Sequence, residues 1–538
     1  MLSYRKLAMR VLGRPLHTGR IDSPRPASQR AAAFILTAAM LITLAAPAFA
    51  KEWYIEEGDI TVRAGETEGT NKVSQGENPE VEDTNTVITN SDKDKASSNT
   101  VTIEAKDKDD KVEVTLKDVN IDASSRSEAA VSVTGEGDTN IKLDGDNALK
   151  SDTYRSGIYG SGSGSLTISG GENDSLTAQG GSGANGISSS GSLTISGGTV
   201  TANGDDGGRG ISSSGSVTIS GGSTVTANGG SGTISGGDGI CSSGGVTISG
   251  GSTVTANGGN GGSLVGGDGI RSGGGLTVSD GTVTAKGGNG DSKDGYGGDG
   301  IRSGGVVTIS GNTVNAAGGY GGKVGGYGIC SFDRVAISGG TVEAAGGNGS
   351  TGGGSGIYSS VIDLSGSLEL TAKAGSPTGK ALLQNGHELN LDDIKEKLGP
   401  GAKVTATDAN GETKQVSIPR PVEPEESSSS SDGGSATPSA PASPLPGLTV
   451  TDKDGQRISY TSTQSGNTLT VCVGRFTASL RISLAALRQL RAEGIETIAF
   501  QTVLCSTTLS VDELLAMGGE DAEAVLTHRL TDSSLTVG

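Results

Sequence analysis

A short pattern of apolar and polar positions repeats through the middle of the chain. A Gly-Ile step recurs with Ile at 158, 187, 211, 240, 270, 301, 329 and 357, at spacings of 29, 24, 29, 30, 31, 28 and 28 residues. Two further segments follow each step, such as Leu193–Ser196 and Thr199–Ala202, and in both apolar and polar residues alternate. This alternation is typical of a half-buried strand, and the Gly, Asn and Ser residues between segments favour turns. Each repeat therefore predicts three short strands.

A single unit of this kind cannot bury its apolar face, but stacked units can. The sequence thus predicts an all-β fold, a right-handed parallel β-helix with three short strands per coil. The insertions all fall between a third strand and the next Gly-Ile step, and the longest are at 258–267 and 287–298. Residues 59–156 predict less regular coils with a charge-rich loop at 91–111. Residues 365–416 predict a cap that carries a short helix near Leu391–Leu398.

The two ends of the chain differ from the repeat. Residues 1–50 predict a signal peptide, because a basic start precedes the apolar run Ala31–Ala45 and an Ala48-Phe49-Ala50 cleavage site. We expect a secreted, extracellular protein, released or held at the cell surface without a transmembrane span. Changes of composition along the rest of the chain predict a β-helix at 51–418, a Pro/Ser-rich linker at 419–447 and a small α+β domain at 448–538. In that domain we expect helices at 483–491 and from a capping box at 510–513, and a strand at 495–504.

Composition excludes several classes of protein. Gly makes up 93 of the 538 residues, but there are only 14 Pro and no Gly-X-Y period, which excludes collagen. A net charge of −19 argues against a nucleic acid partner. Beyond residue 50 the only histidines are His387 and His528, both outside the repeat, so the coils lack the residues for a Ser-His-Asp triad or a histidine zinc site.

Three aspartates occupy the same place in successive repeats. Asp238, Asp268 and Asp299 each come directly before Gly-Ile. Stacking would align their carboxylates about 4.8 Å apart, and oxygen ligands at a turn suit Ca²⁺. We therefore regard them as a candidate metal site with Ca²⁺ as the cofactor. The alternative is that Arg271, Arg302 and solvent neutralise the column.

The few tyrosines suggest where a sugar could bind, because an aromatic ring stacks on the apolar face of a pyranose. Tyr296, Tyr320 and Tyr327 lie around the last insertions, and Tyr358 follows a Gly-Ile step. These four are the candidate carbohydrate-binding residues, the alternative being isolated packing of loop tyrosines. The Thr-x-Thr segments would form two outward ranks, which suggests either ice binding or ordinary β-propensity.

The remaining columns predict structural features. Asn203, Asn228 and Asn257 would form a hydrogen-bonded ladder along the stack. Cys241 and Cys330 share a column but lie three coils apart, about 14 Å, which is beyond disulfide reach. We expect both to be unpaired, whereas Cys472 and Cys505 could pair in the C-terminal domain.

The repeat unit Gly-Ile/Leu-Thr-Ile-Ser-Gly-Gly/Thr-Val-Thr-Ala resembles a family of secreted β-helical carbohydrate-binding proteins of anaerobic Gram-positive bacteria. The stretch from Val112 (VEVTLKDVNIDASSRSEAAVSV) resembles that family's entry coils, and the resemblance covers about residues 60–375. It implies non-catalytic binding of a polysaccharide partner, plant cell-wall glucans or acidic pectin-like polymers, with bound Ca²⁺.

Two other functions remain open from the sequence. One is a polysaccharide lyase that uses Ca²⁺ at the aspartate column and Arg271 or Arg302 as base. The other is a structural stalk or adhesin that presents residues 448–538 to a partner. Formation of unsaturated uronate products would separate the first from a binding protein, and absence of glycan binding by the coils would favour the second.

Overall fold

The computed structural model describes residues 51–311, 313–419 and 447–537, the last range with short gaps at 453–456, 459, 466, 474–476, 503–505, 518–521 and 529–532. The predicted signal peptide and nearly all of the predicted linker lie outside the described residues. The chain divides into two compact units, Met1–Glu423 and Pro424–Gly538.

The first unit is a parallel β-helix of about 13 turns, which confirms the predicted fold class. Three parallel sheets run along it. Sheet 1 holds the strands at the Gly-Ile steps and their upstream equivalents: Ile60–Ala64, Val101–Ala105, Val131–Gly135, Ile158–Gly160, Ile187–Ser189, Ile211–Ser213, Ile240–Ser242, Ile270–Ser272, Ile301–Ser303, the first residues of Ile329–Ala345 and of Ile357–Lys373, and Leu382–Gln384.

The other two sheets complete each coil. Sheet 2 holds Glu52–Tyr54, Thr86–Thr89, Lys111–Lys117, Asp138–Asp144, Leu166–Ser169, Leu193–Ser196, Val217–Ser220, Val246–Ile248, Leu276–Val278, Val307–Ile309 and the middle of the two long strands. Sheet 3 holds Asn120–Asp122, Asp146–Lys150, Ser175–Ser182, Thr199–Asp205, Thr224–Asn228, Ser252–Asn257, Gly281–Lys286, Thr313–Ala317, the ends of the long strands and Lys403–Thr407.

Like residues stack on like residues because the repeats pair in register. Ile187 pairs with Ile211 and Ile211 with Ile240, and all three are fully buried. Ala202 and Ala227 pair in the same way in sheet 3. One continuous hydrophobic core therefore fills the coils. On the outer face of sheet 3 the predicted asparagine ladder is confirmed, since Asn228 donates to Asn203 and Asn257 donates to Asn228, each at 2.8 Å.

The glycine of the Gly-Ile step is required by a close approach of backbones. A Cβ atom built on Gly239 would lie 2.6 Å from the carbonyl oxygen of Gly269 in the next coil and 2.7 Å from the amide nitrogen of Asn257 in sheet 3. Both atoms belong to the backbone and cannot move aside. Any side chain there would force the coils apart.

The insertions lie where the sequence predicts them, and they stack into a ladder of their own. Parallel bridges join Gly232 to Gly261, Gly261 to Gly290, Gly290 to Gly321, and Val265 to Tyr296. We call this stack of insertions, residues 231–236, 260–266, 289–297, 320–325 and 348–353, the ridge.

Both ends of the β-helix are closed. At the start, Ile60–Ala64, Asn71–Gln75 and Val81–Asp83 form antiparallel pairs, a 3₁₀ helix spans Ile55–Glu57, and the buried Trp53 donates to Asp83 at 2.7 Å. At the far end, His387–Glu388 and Thr413–Ser417 turn back as antiparallel strands, and the predicted short helix is a 3₁₀ helix at Leu391–Lys397.

The prediction of a loop at 91–111 is wrong over Val101–Ala105, a strand of sheet 1 whose apolar side chains are buried in the core.

The described residues of the second unit form two four-stranded sheets and two helices. One sheet holds Leu448–Thr451, Ala478–Ser483, Glu523–His528 and Ser533–Val537, and the other holds Thr461–Ser465, Thr468–Cys472, Thr497–Gln501 and Ser506–Ser510. The helices span Leu484–Ala492 and Val511–Met517. Ser483 caps the first by accepting from the Ala486 amide at 3.2 Å, and Ser510 accepts from the Glu513 amide, as the capping box predicts. Among the described residues, no helix combines the length and apolarity needed to cross a bilayer.

Candidate functional site

Two columns of side chains run side by side along sheet 1. The residues directly before Gly-Ile form one column, which continues from Asn185 through Arg209, Asp238, Asp268 and Asp299 to Tyr327. The residues directly after the Ile form the other: Ser188, Ser212, Cys241, Arg271, Arg302, Cys330 and Tyr358, each paired with the next. With the neighbouring Phe332, we call the charged and aromatic part of these columns the Arg–Tyr face: Arg209, Asp238, Asp268, Arg271, Asp299, Arg302, Tyr327, Phe332 and Tyr358.

The three aspartates form a ladder with the backbone. The Asp268 amide donates to the Asp238 carboxylate at 2.9 Å, and the Asp299 amide donates to the Asp268 carboxylate at 2.8 Å. The Tyr327 amide donates to Asp299 at 2.7 Å. Each carboxylate therefore bridges its coil to the next, and all three side chains are buried.

Arginines neutralise the two ends of this ladder. Arg209 Nε lies 3.2 Å from Asp238, and Arg302 lies 3.4 Å from Asp299. Arg271 is exposed and pairs with no carboxylate in the part of the chain that the structure describes. Neutralisation by arginine thus takes the form of an ion pair for Arg302 and for Arg209, which the sequence alternative did not name, while Arg271 acts on Asp299 through its charge without forming an ion pair among the described residues.

Burial makes the middle of the ladder hard to ionise. Desolvation, with the charges of Asp299 and Asp238, raises the pKa of Asp268 to about 7. Desolvation also raises the pKa of Asp299 to about 6, although the Tyr327 amide and the Arg302 charge act in the opposite direction. Near neutral pH this column therefore carries fewer than three negative charges.

The three aspartate carboxylates of the predicted calcium site already have partners within the protein. One oxygen of each carboxylate already accepts a backbone amide, and Asp238 and Asp299 also face guanidinium groups. Within the described ranges, no group of three or more His, Cys, Asp or Glu side chains is placed to hold a metal ion. The ladder as it stands fits Ca²⁺ poorly, and calcium binding stays a prediction.

The structure divides the four candidate tyrosines between two places. Tyr327 and Tyr358 lie on the Arg–Tyr face and stack on each other, with ring centroids 5.1 Å apart and planes inclined by 16°. Beside them the Arg302 guanidinium lies 5.3 Å from the centre of the Phe332 ring, which is 54% exposed. Aromatic and cationic groups therefore meet at this end of the face.

Tyr296 and Tyr320 lie on the ridge instead. Their side chains are 42% and 48% exposed, and the Lys323 amine lies 5.5 Å from the centre of the Tyr296 ring. Ile234, Leu264 and Val265 are exposed on the same ridge. The four tyrosines thus do not form one surface.

The two cysteines in the column after the Ile are held as neutral thiols. Cys241 and Cys330 are unpaired, as the sequence predicts. Burial raises the pKa of the Cys241 thiol to about 11 and that of the Cys330 thiol to about 12, so neither is a thiolate at neutral pH. In the second unit Cys472 is free and contacts Gln501 at 3.2 Å, while its predicted partner Cys505 lies outside the described residues.

Two residues of the face escaped the sequence analysis. Arg209 precedes Gly-Ile at the same offset as the aspartates, so the register alone could have placed it. Phe332 follows a Gly-Ile step by three residues, but its contact with Arg302 depends on the side-chain rotamers of two coils. The repeat pattern of the sequence does not predict that contact.

Comparisons with known proteins leave the family open: no protein-family model matches this chain, and no curated protein or solved structure matches it significantly.

Proposed function

We propose that this protein is a secreted or cell-surface, non-catalytic polysaccharide-binding protein, and that the Arg–Tyr face binds an acidic polysaccharide. The observation that carries the proposal is the strip formed by Arg271, Arg302 and Tyr358 in one column, with Tyr327 and Phe332 beside it. Three coils separate Arg271 from Tyr358, about 14 Å at ~4.8 Å per coil, so the strip suits an extended polymer that lies along the axis.

The charges on this strip favour an anionic ligand. Arg271 is exposed and has no carboxylate partner among the described residues, and Arg302 keeps 39% of its side chain exposed. A guanidinium group binds a carboxylate through two parallel hydrogen bonds. The carboxylates of a uronic acid polymer would therefore pair with these two arginines.

The aromatic groups supply the apolar part of such a site. The exposed Phe332 lies against Arg302, Tyr327 belongs to the next coil, and Tyr358 stacks on Tyr327 from the coil after that. Aromatic rings pack against the apolar faces of sugar rings. Among the polymers implied by the resemblance to β-helical carbohydrate-binding proteins, this combination favours acidic, pectin-like chains over neutral glucans.

The electrostatics argue against Arg302 as the base of a lyase. Burial acts to lower the pKa of the Arg302 guanidinium, but the charges of Asp299, Asp268 and Asp238 outweigh it and raise the pKa. A guanidinium held in its charged form cannot accept a proton from a substrate carbon. The neutral thiols of Cys241 and Cys330 offer no nucleophile either.

The test is retention of the full chain on a polygalacturonate matrix and on a neutral glucan matrix, first with Ca²⁺ and then with chelator. We expect retention on the acidic polymer, reduced by salt, and no unsaturated uronate absorbance at the end. Loss of retention with chelator would support the calcium prediction. Absence of retention on both polymers would overturn the proposal.

The competing function is a stalk that presents the second unit to a partner. The continuous backbone and side-chain ladders along all three sheets favour it, because they make the β-helix stiff whether or not it binds a glycan. It predicts that no polysaccharide is retained and that a partner binds residues 448–538. The same retention experiment therefore separates the two functions.

A further inference from the structure

A cavity of about 420 Å³ opens at the first coils of the β-helix, away from the residues of the Arg–Tyr face. It lies over the start of strand Lys111–Lys117. The preceding strand in sheet 2, Thr86–Thr89, pairs with that strand only from Val114 onward, so Lys111, Val112 and Glu113 have a neighbouring strand on one side alone. The missing pairing leaves the gap in the stack that forms the cavity.

Most side chains that line the cavity carry polar groups, and Val112 adds an apolar contribution. The polar side chains include Glu68, Asn85, Lys111, Glu113, Asp138 and Asn140. They are held in place by their own contacts, because the Asn140 amide donates to Glu113 at 3.0 Å and the Ser165 hydroxyl donates to Asp138. Donors and acceptors are mixed, and none of the described residues that line the cavity is aromatic.

This chemistry suits a sugar better than other small ligands. Each sugar hydroxyl donates one hydrogen bond and accepts others, which matches neighbouring carboxylates and amides. An anion would face the carboxylates of Glu68, Glu113 and Asp138 with only Lys111 to balance them. A flat aromatic ligand would find no ring to stack on.

A peptide that adds as an extra strand would fit this site less well than a sugar, because the unpaired edge of strand Lys111–Lys117 already accepts a hydrogen bond from a side chain. The Asn71 side-chain amide donates to the Glu113 carbonyl at 2.7 Å, and Asn71 is itself buried. An incoming strand would have to displace that contact to pair with the edge.

We propose that this cavity is a second binding site, which takes one uncharged sugar unit. The inference stands apart from polymer binding on the Arg–Tyr face, since it rests on different residues at the start of the β-helix. Glu113 and Asn140 would hold the sugar hydroxyls, and Thr167, which follows Asn140 in the same outward column, would line the rim.

The test is calorimetry and saturation-transfer NMR on the full chain with glucose, galactose, xylose, N-acetylglucosamine, galacturonate, inorganic phosphate and an unrelated extended peptide. We expect the cavity to bind neutral sugars and to reject the anions and the peptide. Any galacturonate or phosphate that the full chain binds through the Arg–Tyr face should be weakened by Arg271→Ala and unaffected by Asn140→Ala. Asn140→Ala removes an amide and frees the Glu113 carboxylate, so binding should weaken about tenfold. Thr167→Trp should fill the rim and abolish binding.

The matched control is Thr194→Ala, one coil further along the same column and outside the cavity. It should bind as the parent chain does, and thermal melts should show that all three variants are folded. Arg271→Ala, on the Arg–Tyr face, should weaken retention on the acidic polymer and leave neutral-sugar binding at the cavity unchanged, so a failure of this site is distinguished from a failure of the proposed function. The inference is overturned if no neutral sugar binds, if Asn140→Ala and Thr167→Trp bind like the control, if the peptide binds, or if phosphate binds in a way that Asn140→Ala weakens.

Discussion

At the scale of single residues, Asp268 is a buried acid that the fold uses as a hydrogen-bond acceptor. Its carboxylate accepts the Asp299 amide, yet it lies between two further carboxylates and carries a pKa of about 7. Asn185 fills the same column two coils before Asp238 and accepts the Arg209 amide at 2.8 Å. An amide oxygen therefore serves this position as well as a carboxylate does.

Asp268→Asn should stabilise the protein at high pH. The folded-state pKa lies above the ordinary value of 3.8, so the folded state binds the extra proton between the two values. The stability that this group contributes is complete below about pH 4 and is lost as pH rises towards 7. We expect the variant to match the parent at pH 4 and to gain about 1–3 kcal/mol at pH 8, in denaturant unfolding followed across that range.

The exposed Asp280 provides the control, because Asp280→Asn makes the same substitution on a solvated surface and should change the free energy of unfolding by less than about 0.5 kcal/mol. An Asp268→Asn variant that is less stable than the parent at pH 8 would contradict the raised pKa.

Thr139 is a second polar residue that lies in an apolar environment. It sits inward between Val112 and Leu166, and its hydroxyl is the one fully buried side-chain polar atom without a hydrogen-bond partner among the described residues. Thr139→Val keeps the shape and removes that hydroxyl, so the free energy of unfolding should rise by about 1 kcal/mol. Thr86→Val, whose hydroxyl accepts from Asn71 at 2.9 Å, should instead lower it. Equal effects of the two changes would contradict this interpretation.

At the scale of elements, the x-Gly-Ile step both closes each coil and positions the aspartates. The glycine lets two backbones approach, the residue before it turns outward to the Arg–Tyr face, and the Ile after it enters the core. Gly239→Ala should therefore cost about 2 kcal/mol or more, because its Cβ meets backbone atoms at 2.6 and 2.7 Å. Gly352→Ala, where the nearest atom is 3.5 Å away, is the control in a thermal melt. A similar loss in both would show that the close approach is not what selects Gly239.

The elements that could be predicted from the sequence are those set by the repeat. The spacing of Ile187, Ile211 and Ile240 gives the coil register, and with it the aspartate column, because in-register stacking aligns equal positions. Val101–Ala105 was missed because the dense charges on both sides hid a five-residue alternation. The sequence does not show which of the tyrosines share a surface, because insertion length alone does not reveal that the insertions form a separate ridge.

At the scale of the whole molecule, an acidic chain carries a local cationic strip. The net charge is −19, yet Arg271 and Arg302 lie in adjacent coils of one face, and Arg209 lies two coils before Arg271. The overall charge opposes the approach of an anionic polymer, and the strip attracts it at short range. Added salt therefore weakens both the repulsion by the overall charge and the attraction by the strip. Once the polymer is bound, the pairing of its carboxylates with the arginines should dominate.

The most direct measurement of the central claim is the affinity of the full chain for oligogalacturonate, compared between two double variants. Arg271→Ala/Tyr358→Ala removes one cation and one aromatic ring from the Arg–Tyr face. Lys286→Ala/Tyr320→Ala removes the same kinds of group from sheet 3 and the ridge. We expect the first to bind at least about tenfold more weakly than the parent chain and the second to bind unchanged. Equal affinity of the two variants, or a loss confined to the second, would contradict the assignment of the binding surface.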